Sequence, residues 1–374
     1  MKNVLKNVVT QLPCGEHMGR FASKFAASWR RRSTTTVRLQ DLDADALLQV
    51  LEGPRGKPFE VSTVRVESSS WCNLKCAGCP RTLAVEQDAW FNKHTSLEEY
   101  KLLFPHMPYS ENLDLHDVGE PTLNPDLPEI VSFARQTGKF RNIYFISNAM
   151  GRTPEYFSNL FAQGLSHITI SVDSLDQEIA SIARFGTKVE KLRTKLEHLI
   201  LNHPGQVRVN TVLSSVNIDD IHNTLAFTND LAGRSGRRLR HSIALFDDFA
   251  GKGLTERKVD GDPVQRTREE ARAWPTRYPH LLLIAPFVGG NQGEAPAPAT
   301  RLCRRPWGAL TVDVNGFLLP CGRVHDPAAM LFANLRERPF EDILRQPDMI
   351  EFFREYAVKS PDFCAGCGND VNRD

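Results

Sequence analysis

The chain has 374 residues, of which 41% are apolar and 24% are charged, and its formal net charge is +1. This length is sufficient for one large domain with an appendage, or for two domains. The near-neutral charge gives no reason to expect nucleic acid or an acidic membrane surface as a partner. No apolar run approaches the ~20 residues that span a bilayer, and no signal-peptide core stands near the N-terminus. We therefore expect a cytoplasmic protein.

The first predicted region is an N-terminal helical extension, residues 1–58. Between Glu16 and Arg32, apolar side chains recur at helical spacing with basic residues between and after them, which predicts an amphipathic basic helix. This helix would either pack on the following domain or form an anion-binding or substrate-guiding surface. A second short helix is predicted at 41–51.

Residues 59–250 alternate between strand-like and helix-like segments. Strands are predicted near 61–69, 112–117, 141–147, 166–172, 206–213 and 241–245. Helices are predicted near 96–106, 126–137, 153–163, 187–202 and 217–232. This alternation predicts an α/β domain with a parallel sheet and right-handed crossovers. Active sites of parallel barrels lie at the carboxyl ends of the strands, so candidate residues are sought there.

Directly after the first predicted strand, Cys72, Cys76 and Cys79 form the pattern C-x3-C-x2-C. Thiolates are soft ligands that suit iron–sulfur clusters. Three thiolates are one fewer than a closed four-thiolate site, so a 4Fe–4S cluster held here would keep one iron without a protein ligand. The alternative is half of a zinc site that a distant residue completes. Eight cysteines in a chain of this length, without an export signal, favour metal or redox use over disulfides.

Polar residues also follow the next strands. His116 and Asp117 end the second strand, and Asp247 and Asp248 follow the sixth. Each of these would either touch a substrate or act as a cap or turn residue.

Residues 251–300 are predicted to be a connecting segment, in which 289–299 is a linker rich in Gly, Pro and Ala. Four more cysteines follow in residues 301–374, and these are Cys303, Cys321, Cys364 and Cys367. The first two flank a predicted β-hairpin at 310–319 with an Asn-Gly turn, and the last two form a C-x2-C knuckle. Four thiolates suffice to close an iron–sulfur site, although the same set is typical of structural zinc.

The cysteine triplet and the strand-end motifs together resemble the radical S-adenosylmethionine (radical SAM) family. The motifs are Gly119-Glu120 after the second strand, Ser147-Asn148 after the third, and Ser171-x-Asp173 on the fourth. The resemblance implies a partial (β/α)6 parallel barrel. It also implies a 4Fe–4S cluster on Cys72, Cys76 and Cys79 whose open iron binds the amino and carboxylate groups of S-adenosylmethionine (SAM). Two departures are visible: Gly78 stands where the family often has an aromatic residue, and Val118 replaces the first glycine of the family's G-G-E motif.

The resemblance further implies contacts to SAM. The Glu120 carboxylate would accept a hydrogen bond from the amino group, Ser171 would meet the ribose, and Arg184 would pair with the SAM carboxylate. The other implied SAM-binding residues are Gly119, Ser147, Asn148 and Asp173. Arg184 would otherwise be a solvated charge at a helix end, and the acidic turn at Gly119-Glu120 would otherwise be an ordinary strand-to-loop turn.

The C-terminal region is similar to the SPASM/twitch appendage of radical SAM proteins. The matching pattern is Cys303, then Gly316 to Cys321, then Cys364 and Cys367. The full SPASM form has three more cysteines, which do not occur in this sequence. The resemblance therefore implies a small, twitch-like subdomain of β-hairpin and helix that holds one auxiliary 4Fe–4S cluster.

The sequence thus predicts a radical SAM enzyme with SAM and two 4Fe–4S clusters as cofactors. A small-molecule substrate is expected, such as a sugar or aminocyclitol alcohol that is oxidised or epimerised, together with a reductase partner such as flavodoxin or ferredoxin. One alternative is a maturase of ribosomal peptides, although such enzymes commonly carry a leader-binding domain for which the first 58 residues look too short. The other alternative is a non-catalytic scaffold that binds zinc or a cluster. No catalytic side chain is predicted.

Overall fold

The structure is a computed structural model that describes residues 36–246, 261–288, 303–322, 324 and 333–364. The predicted basic helix, Asp247, Asp248, the linker at 289–299 and Cys367 lie outside the described residues. The strands are β1 Val37–Arg38, β2 Phe59–Glu60, β3 Val64–Val66, β4 Lys75–Cys76, β5 Asn112–Asp114, β6 Asn142–Ser147, β7 His167–Ser171, β8 Arg184–Phe185, β9 Val207–Leu213, β10 Leu239–Leu245, β11 Leu281–Ile284, β12 Leu310–Val312 and β13 Leu318–Leu319.

The α-helices are α1 Ala44–Glu52, α2 Pro80–Glu86, α3 Leu97–Leu103, α4 Leu127–Thr137, α5 Pro154–Ala162, α6 Gln177–Ala183, α7 Val189–Asn202, α8 Ile221–Arg234, α9 Gly261–Ala271, α10 Trp274–Arg277, α11 Arg305–Gly308, α12 Phe340–Leu344 and α13 Pro347–Val358. The predicted helix after the hairpin is divided in two, because Pro347 begins a new helix after Gln346.

One nine-stranded sheet forms the centre of the fold, in the order β11-β10-β9-β7-β6-β5-β3-β12-β13. Its six middle strands are β10, β9, β7, β6, β5 and β3. They correspond to the six predicted strands, and each pairs in parallel with its neighbours among them. The predicted parallel α/β architecture is therefore confirmed. The sheet is wider than predicted, because β11 extends one edge and β12 pairs in parallel with β3 at the other.

The two faces of this sheet differ in chemistry. Val64, Leu113 and Ile143 are register partners on three adjacent strands, and all three are fully buried. Side chains alternate along a strand, so the next residues face the other way. These are Arg65, Asp114 and Tyr144, again register partners. We call the side on which they lie the polar face of the sheet.

The C-terminal hairpin has a longer turn than predicted. Thr311 and Val312 pair with Leu319 and Leu318, and the Asp313 amide donates to the Phe317 carbonyl at 3.0 Å. Residues 314–316 therefore form a three-residue loop, in which Gly316 has φ +88°. Such loops place glycine at the left-handed position after a type I turn, so the Asn-Gly pair ends the loop and is not the whole turn.

The segment from Val37 to Glu60 is held by the C-terminal region. The Arg345 guanidinium donates to the carbonyls of Leu51 and Gly53 at 2.7 and 2.9 Å. The fully buried Trp307 donates from Nε1 to the Leu42 carbonyl at 3.3 Å. The two ends of the described chain thus pack together beside β3 and β12.

No helix among the described residues is long and apolar enough to cross a membrane.

Candidate functional site

The three cysteines of the first motif lie on a loop between β3 and α2. Cys72 lies in the loop, Cys76 ends β4, and Cys79 is the residue before the first turn of α2. The Cys79 amide donates to the Cys76 carbonyl at 3.2 Å, and Gly78 between them has φ +82°, which favours glycine. The loop therefore turns sharply enough to bring the three thiols close to one another.

Burial and mutual proximity affect these thiols. The pKa of Cys76 is raised to about 11, mainly by burial and further by the neighbouring Cys79 and Cys72. Burial, with a contribution from Glu120, also raises the pKa of the Cys72 thiol. Without metal the two thiols are protonated at neutral pH, so binding of a metal group here requires the release of protons.

The Gly119-Glu120 turn lies directly against this loop. A Cβ atom at Gly119 would stand 2.0 Å from the Ser69 carbonyl oxygen, which leaves room for glycine alone. The Glu120 amide donates to the Trp71 carbonyl at 2.6 Å, one residue before Cys72. This backbone contact holds the turn that follows β5 against the cysteine loop.

The Glu120 side chain is 2% exposed and is largely saturated by internal hydrogen bonds. Its Oε1 accepts from the Thr122 amide at 3.1 Å, and from the hydroxyls of Thr122 and Ser147, both at 2.7 Å. Its Oε2 accepts from the Asn148 amide at 2.7 Å. A carboxylate has about four acceptor positions in total, so few remain for a ligand. If Glu120 binds the SAM amino group as predicted, Oε2 must accept a second hydrogen bond.

Asn148 connects Glu120 to the cysteine loop. Its Nδ2 lies 3.7 Å from Cys72 Sγ and donates to Asn73 Oδ1 at 2.9 Å. The next residue, Ala149, has φ +58°, a conformation that favours glycine. The structure therefore places two predicted SAM-binding residues, Ser147 and Asn148, in one hydrogen-bonded group with Glu120.

The other predicted SAM-binding residues approach the loop from β7 and β8. Arg184 caps the C-terminal end of α6 and is also the register partner of Cys76, so this helix-end charge lies beside the cysteine loop, with a side chain that is 18% exposed. Its Nη1 lies 3.4 Å from Asp173 Oδ2, and Asp173 Oδ1 accepts from the Val212 amide at 2.9 Å. Ser171 ends β7 opposite Asn210. Six of the seven predicted residues thus end or follow β5, β6 and β7 of the central sheet, whereas Arg184 lies on β8, which pairs with β4 in a separate two-stranded sheet.

Sequence reasoning missed a buried ionic network on the polar face. Arg65 donates to Asp114 Oδ2 at 3.1 Å and lies 3.4 Å from Asp117 Oδ1. The other oxygen of Asp114 contacts Nδ1 of His116, whose side chain is 12% exposed. Alternation along the strand was the available signal, because it places Asp114 and His116 on the same face. Nδ1 of His116 is thus engaged, and among the described residues Nε2 has no hydrogen-bond partner.

Glu67 lies next to this network and is 4% exposed. Burial raises the pKa of Glu67 to about 8, and the nearby carboxylates of Asp117 and Asp313 add to the rise. Glu67 therefore keeps its proton at neutral pH in the folded protein.

Of the described cysteines of the second set, Cys303 lies against α13 and Cys321 lies close to the central sheet. Tyr356 donates to the Cys303 carbonyl at 2.9 Å. Gly322 follows Cys321, and a Cβ atom there would stand 2.3 Å from Arg65 Nη1. A cavity of about 440 Å³ is lined by both Cys321 and Arg65. The candidate auxiliary site is thus adjacent to the network on the polar face.

The donor set around Cys72, Cys76 and Cys79 fits an iron–sulfur cluster, in which each thiolate binds a different iron. Three adjacent thiols, an amide donor beside Cys72 and a guanidinium opposite Cys76 are consistent with an anionic 4Fe–4S cluster.

Two family models match this sequence. Residues 66–228 match the model of the radical SAM superfamily, and residues 303–368 match the model of an iron–sulfur cluster-binding domain, SPASM. Together the two matches include the cysteine triplet, the strand-end motifs and all four C-terminal cysteines.

Curated relatives align with most of the chain. A PqqA peptide cyclase of Streptomyces rochei is 27% identical over 305 residues, which is 75% of this chain and 72% of the relative. A PqqA peptide cyclase of Xanthomonas oryzae pv. oryzae is 27% identical over 312 residues, which is 82% of this chain and 79% of the relative.

Solved structures share the fold. Streptococcus suis SuiB bound to precursor peptide SuiA has a TM-score of 0.62 at 14% identity, and the match covers 99% of this chain and 81% of that one. Native anSMEcpe with bound AdoMet has a TM-score of 0.58 at 12% identity, with 79% and 84% covered.

Proposed function

Because this chain belongs to the radical SAM superfamily and ends in a SPASM iron–sulfur domain, we propose that it is an enzyme that modifies a peptide substrate. The observation that carries this proposal is the alignment with the PqqA peptide cyclases, which extends over 75–82% of the chain in the two relatives named above. An alignment of that extent is longer than the radical SAM match at residues 66–228 alone.

These relatives favour a peptide over the sugar or aminocyclitol alcohol that the sequence alone led us to expect. An alignment over 82% of the chain supports the peptide-modifying alternative, whichever way the peptide is recruited.

The cofactors of this enzyme are SAM and 4Fe–4S clusters, which supply reductive cleavage of SAM and removal of a hydrogen atom from the substrate. In our proposal Cys72, Cys76 and Cys79 hold the cluster that binds SAM. Arg184, opposite Cys76, neutralises the SAM carboxylate, and Glu120 accepts a hydrogen bond from the SAM amino group through Oε2.

We assign the auxiliary cluster to Cys303, Cys321, Cys364 and Cys367. A cluster held there would supply one-electron oxidation of the substrate, and the expected external partner is a one-electron donor such as flavodoxin or ferredoxin. On the polar face, His116 Nε2 would accept the proton that the substrate releases when it is oxidised. Asp114 would hold the His116 ring in position, because it contacts Nδ1 and is itself fixed by Arg65.

The test uses anaerobically reconstituted enzyme, SAM and a chemical reductant, with either a synthetic PqqA peptide or an aminocyclitol alcohol. We expect conversion of the peptide with the loss of two hydrogen atoms, as an intramolecular bond between two C–H positions requires, measured by mass spectrometry. The His116→Gln variant should still form 5′-deoxyadenosine but yield at least ~10-fold less cyclised peptide, consistent with loss of a general base. Conversion of the aminocyclitol alcohol with no change in the peptide would contradict the proposal.

A further inference from the structure

The orientation of the Asn148 amide is determined by its own hydrogen bonds. Oδ1 accepts from the Met150 backbone amide at 2.8 Å, and a backbone amide can only donate. This contact identifies the oxygen, so the nitrogen is the atom that faces the cysteine loop. Its two hydrogens are matched by two acceptors, Asn73 Oδ1 at 2.9 Å and Cys72 Sγ at 3.7 Å.

The Asn148 side chain is also held in place by other residues of the protein. The residue is 5% exposed, and its backbone amide donates to Glu120 Oε2 at 2.7 Å. Glu120 is in turn fixed by Thr122 and Ser147. Because contacts on three sides fix the residue, its amide needs little rearrangement to act on the Cys72 sulfur.

Two groups of opposite effect therefore flank Cys72. The Glu120 carboxylate, which is hydrogen-bonded to the Asn148 backbone amide, opposes negative charge on the nearby Cys72 sulfur. The Asn148 amide presents the positive end of its dipole to the same atom. When an iron–sulfur cluster gains an electron, negative charge on its sulfurs increases, so N–H donors to those sulfurs stabilise the reduced form and raise the reduction potential.

We propose that Asn148 donates a hydrogen bond to the Cys72 thiolate in the loaded enzyme and sets the reduction potential of the cluster that binds SAM. Asn148 is then a positioning and tuning residue at the cluster, besides any contact that it makes with SAM. The proposal depends on Cys72 being a cluster ligand and is independent of which substrate the enzyme uses.

The test is an EPR-monitored redox titration of the reconstituted full-length enzyme. The cluster of interest is identified by the signal that changes when SAM is added, and its midpoint potential is measured without SAM. The variants are Asn148→Ser, whose hydroxyl still accepts from the Met150 amide, and Asn148→Ala, which has no side-chain acceptor. Thr122→Val is the control, because it removes one hydrogen bond to Glu120 and leaves the Asn148 amide in place.

We expect both Asn148 variants to keep their full iron content and to show a more negative midpoint potential than wild type, with Thr122→Val unchanged. An unchanged potential in both Asn148 variants would overturn the proposal. An equal shift in Thr122→Val would also overturn it, because the effect would then come from Glu120. Loss of one cluster's iron from both Asn148 variants would overturn it as well, and would make Asn148 a structural residue of the loop.

Discussion

Gly119 shows how a single residue determines whether the site can form. The position has room for a hydrogen atom but not for a methyl group, because the Ser69 backbone carbonyl lies where a Cβ atom would stand. Backbone atoms cannot move aside as a flexible side chain can. Gly119 therefore permits the close contact between the turn that follows β5 and the cysteine loop.

We predict that Gly119→Ala displaces the loop and prevents assembly of the cluster that binds SAM. Iron in the reconstituted protein should fall from about eight to about four atoms per chain, if each cubane holds four. Gly56→Ala is the matched control, because a Cβ atom there meets nothing within 4 Å and its φ does not favour glycine. Full iron content in Gly119→Ala would show that the loop tolerates the displacement.

The raised pKa of Glu67 predicts how the stability of the protein depends on pH. The pKa of Glu67 is raised from 4.5 to about 8 in the folded protein, chiefly by burial and then by Asp117. Between these values the folded protein holds a proton that the unfolded chain releases, so the free energy of unfolding falls as pH rises through this range. The groups that face the carboxyl are Asp117, Asp313, the amides of Val118 and Gly119, and the network of Arg65.

Glu67→Gln is neutral at every pH and should remove this contribution. We expect the melting temperature of wild type to fall more than that of Glu67→Gln between about pH 6 and about pH 8. Glu98→Gln, at a side chain that is 80% exposed, should keep the wild-type slope. Equal slopes in wild type and Glu67→Gln would mean that Glu67 ionises normally in the folded protein.

At the scale of elements, the six parallel strands were predictable because apolar runs alternate with amphipathic helices. Two pairings were not. β4 and β8 have two residues each, too few for a periodic signal, yet they place Arg184 opposite Cys76. The pairing of β12 with β3 joins residues about 246 positions apart, and no local pattern encodes which edge of a sheet receives a distant hairpin.

The residues of the candidate site also include some that local sequence patterns predict and others that depend on contacts between distant segments. The family resemblance predicted Glu120, Ser147 and Asn148 as SAM-binding residues, but not the hydrogen bonds that join them, because those depend on how three loops meet. Asp114 and Arg65 were missed because a charged residue inside a short strand has no motif. Their partners lie on neighbouring strands, so only the register of the sheet reveals them.

The contact between α1 and the C-terminal helices is expected to contribute to the free energy of unfolding. Arg345 has an 11% exposed side chain and donates to two carbonyls at the end of α1. Arg345→Ala should lower the free energy of unfolding by about 2–3 kcal/mol, because it leaves buried carbonyls without a charged donor.

Arg354→Ala is the control for this experiment. Arg354 pairs with Glu52 and Glu351 on the surface, with a side chain that is 53% exposed, so its loss should cost less than about 1 kcal/mol. Urea unfolding of both variants measures the difference. Equal effects would mean that the α1 contact does not contribute specifically to stability.

At the scale of the whole molecule, the barrel and the C-terminal domain share one sheet. β12 extends the barrel beside β3, and Cys321 follows β13 next to the Arg65 network. Cys321, one of the candidate auxiliary ligands, is therefore held close to the central sheet and to the network that contains His116. This arrangement suits a reaction in which one substrate loses a hydrogen atom, an electron and a proton.

If Cys72, Cys76 and Cys79 hold the cluster that cleaves SAM, formation of 5′-deoxyadenosine depends on these three residues. The measurement compares reconstituted wild type with a variant in which all three cysteines are replaced by alanine, using SAM and a chemical reductant. We predict that wild type forms 5′-deoxyadenosine and that the triple variant forms none while keeping about four irons per chain in the auxiliary cluster. Formation of 5′-deoxyadenosine by the triple variant at the wild-type rate would contradict the account.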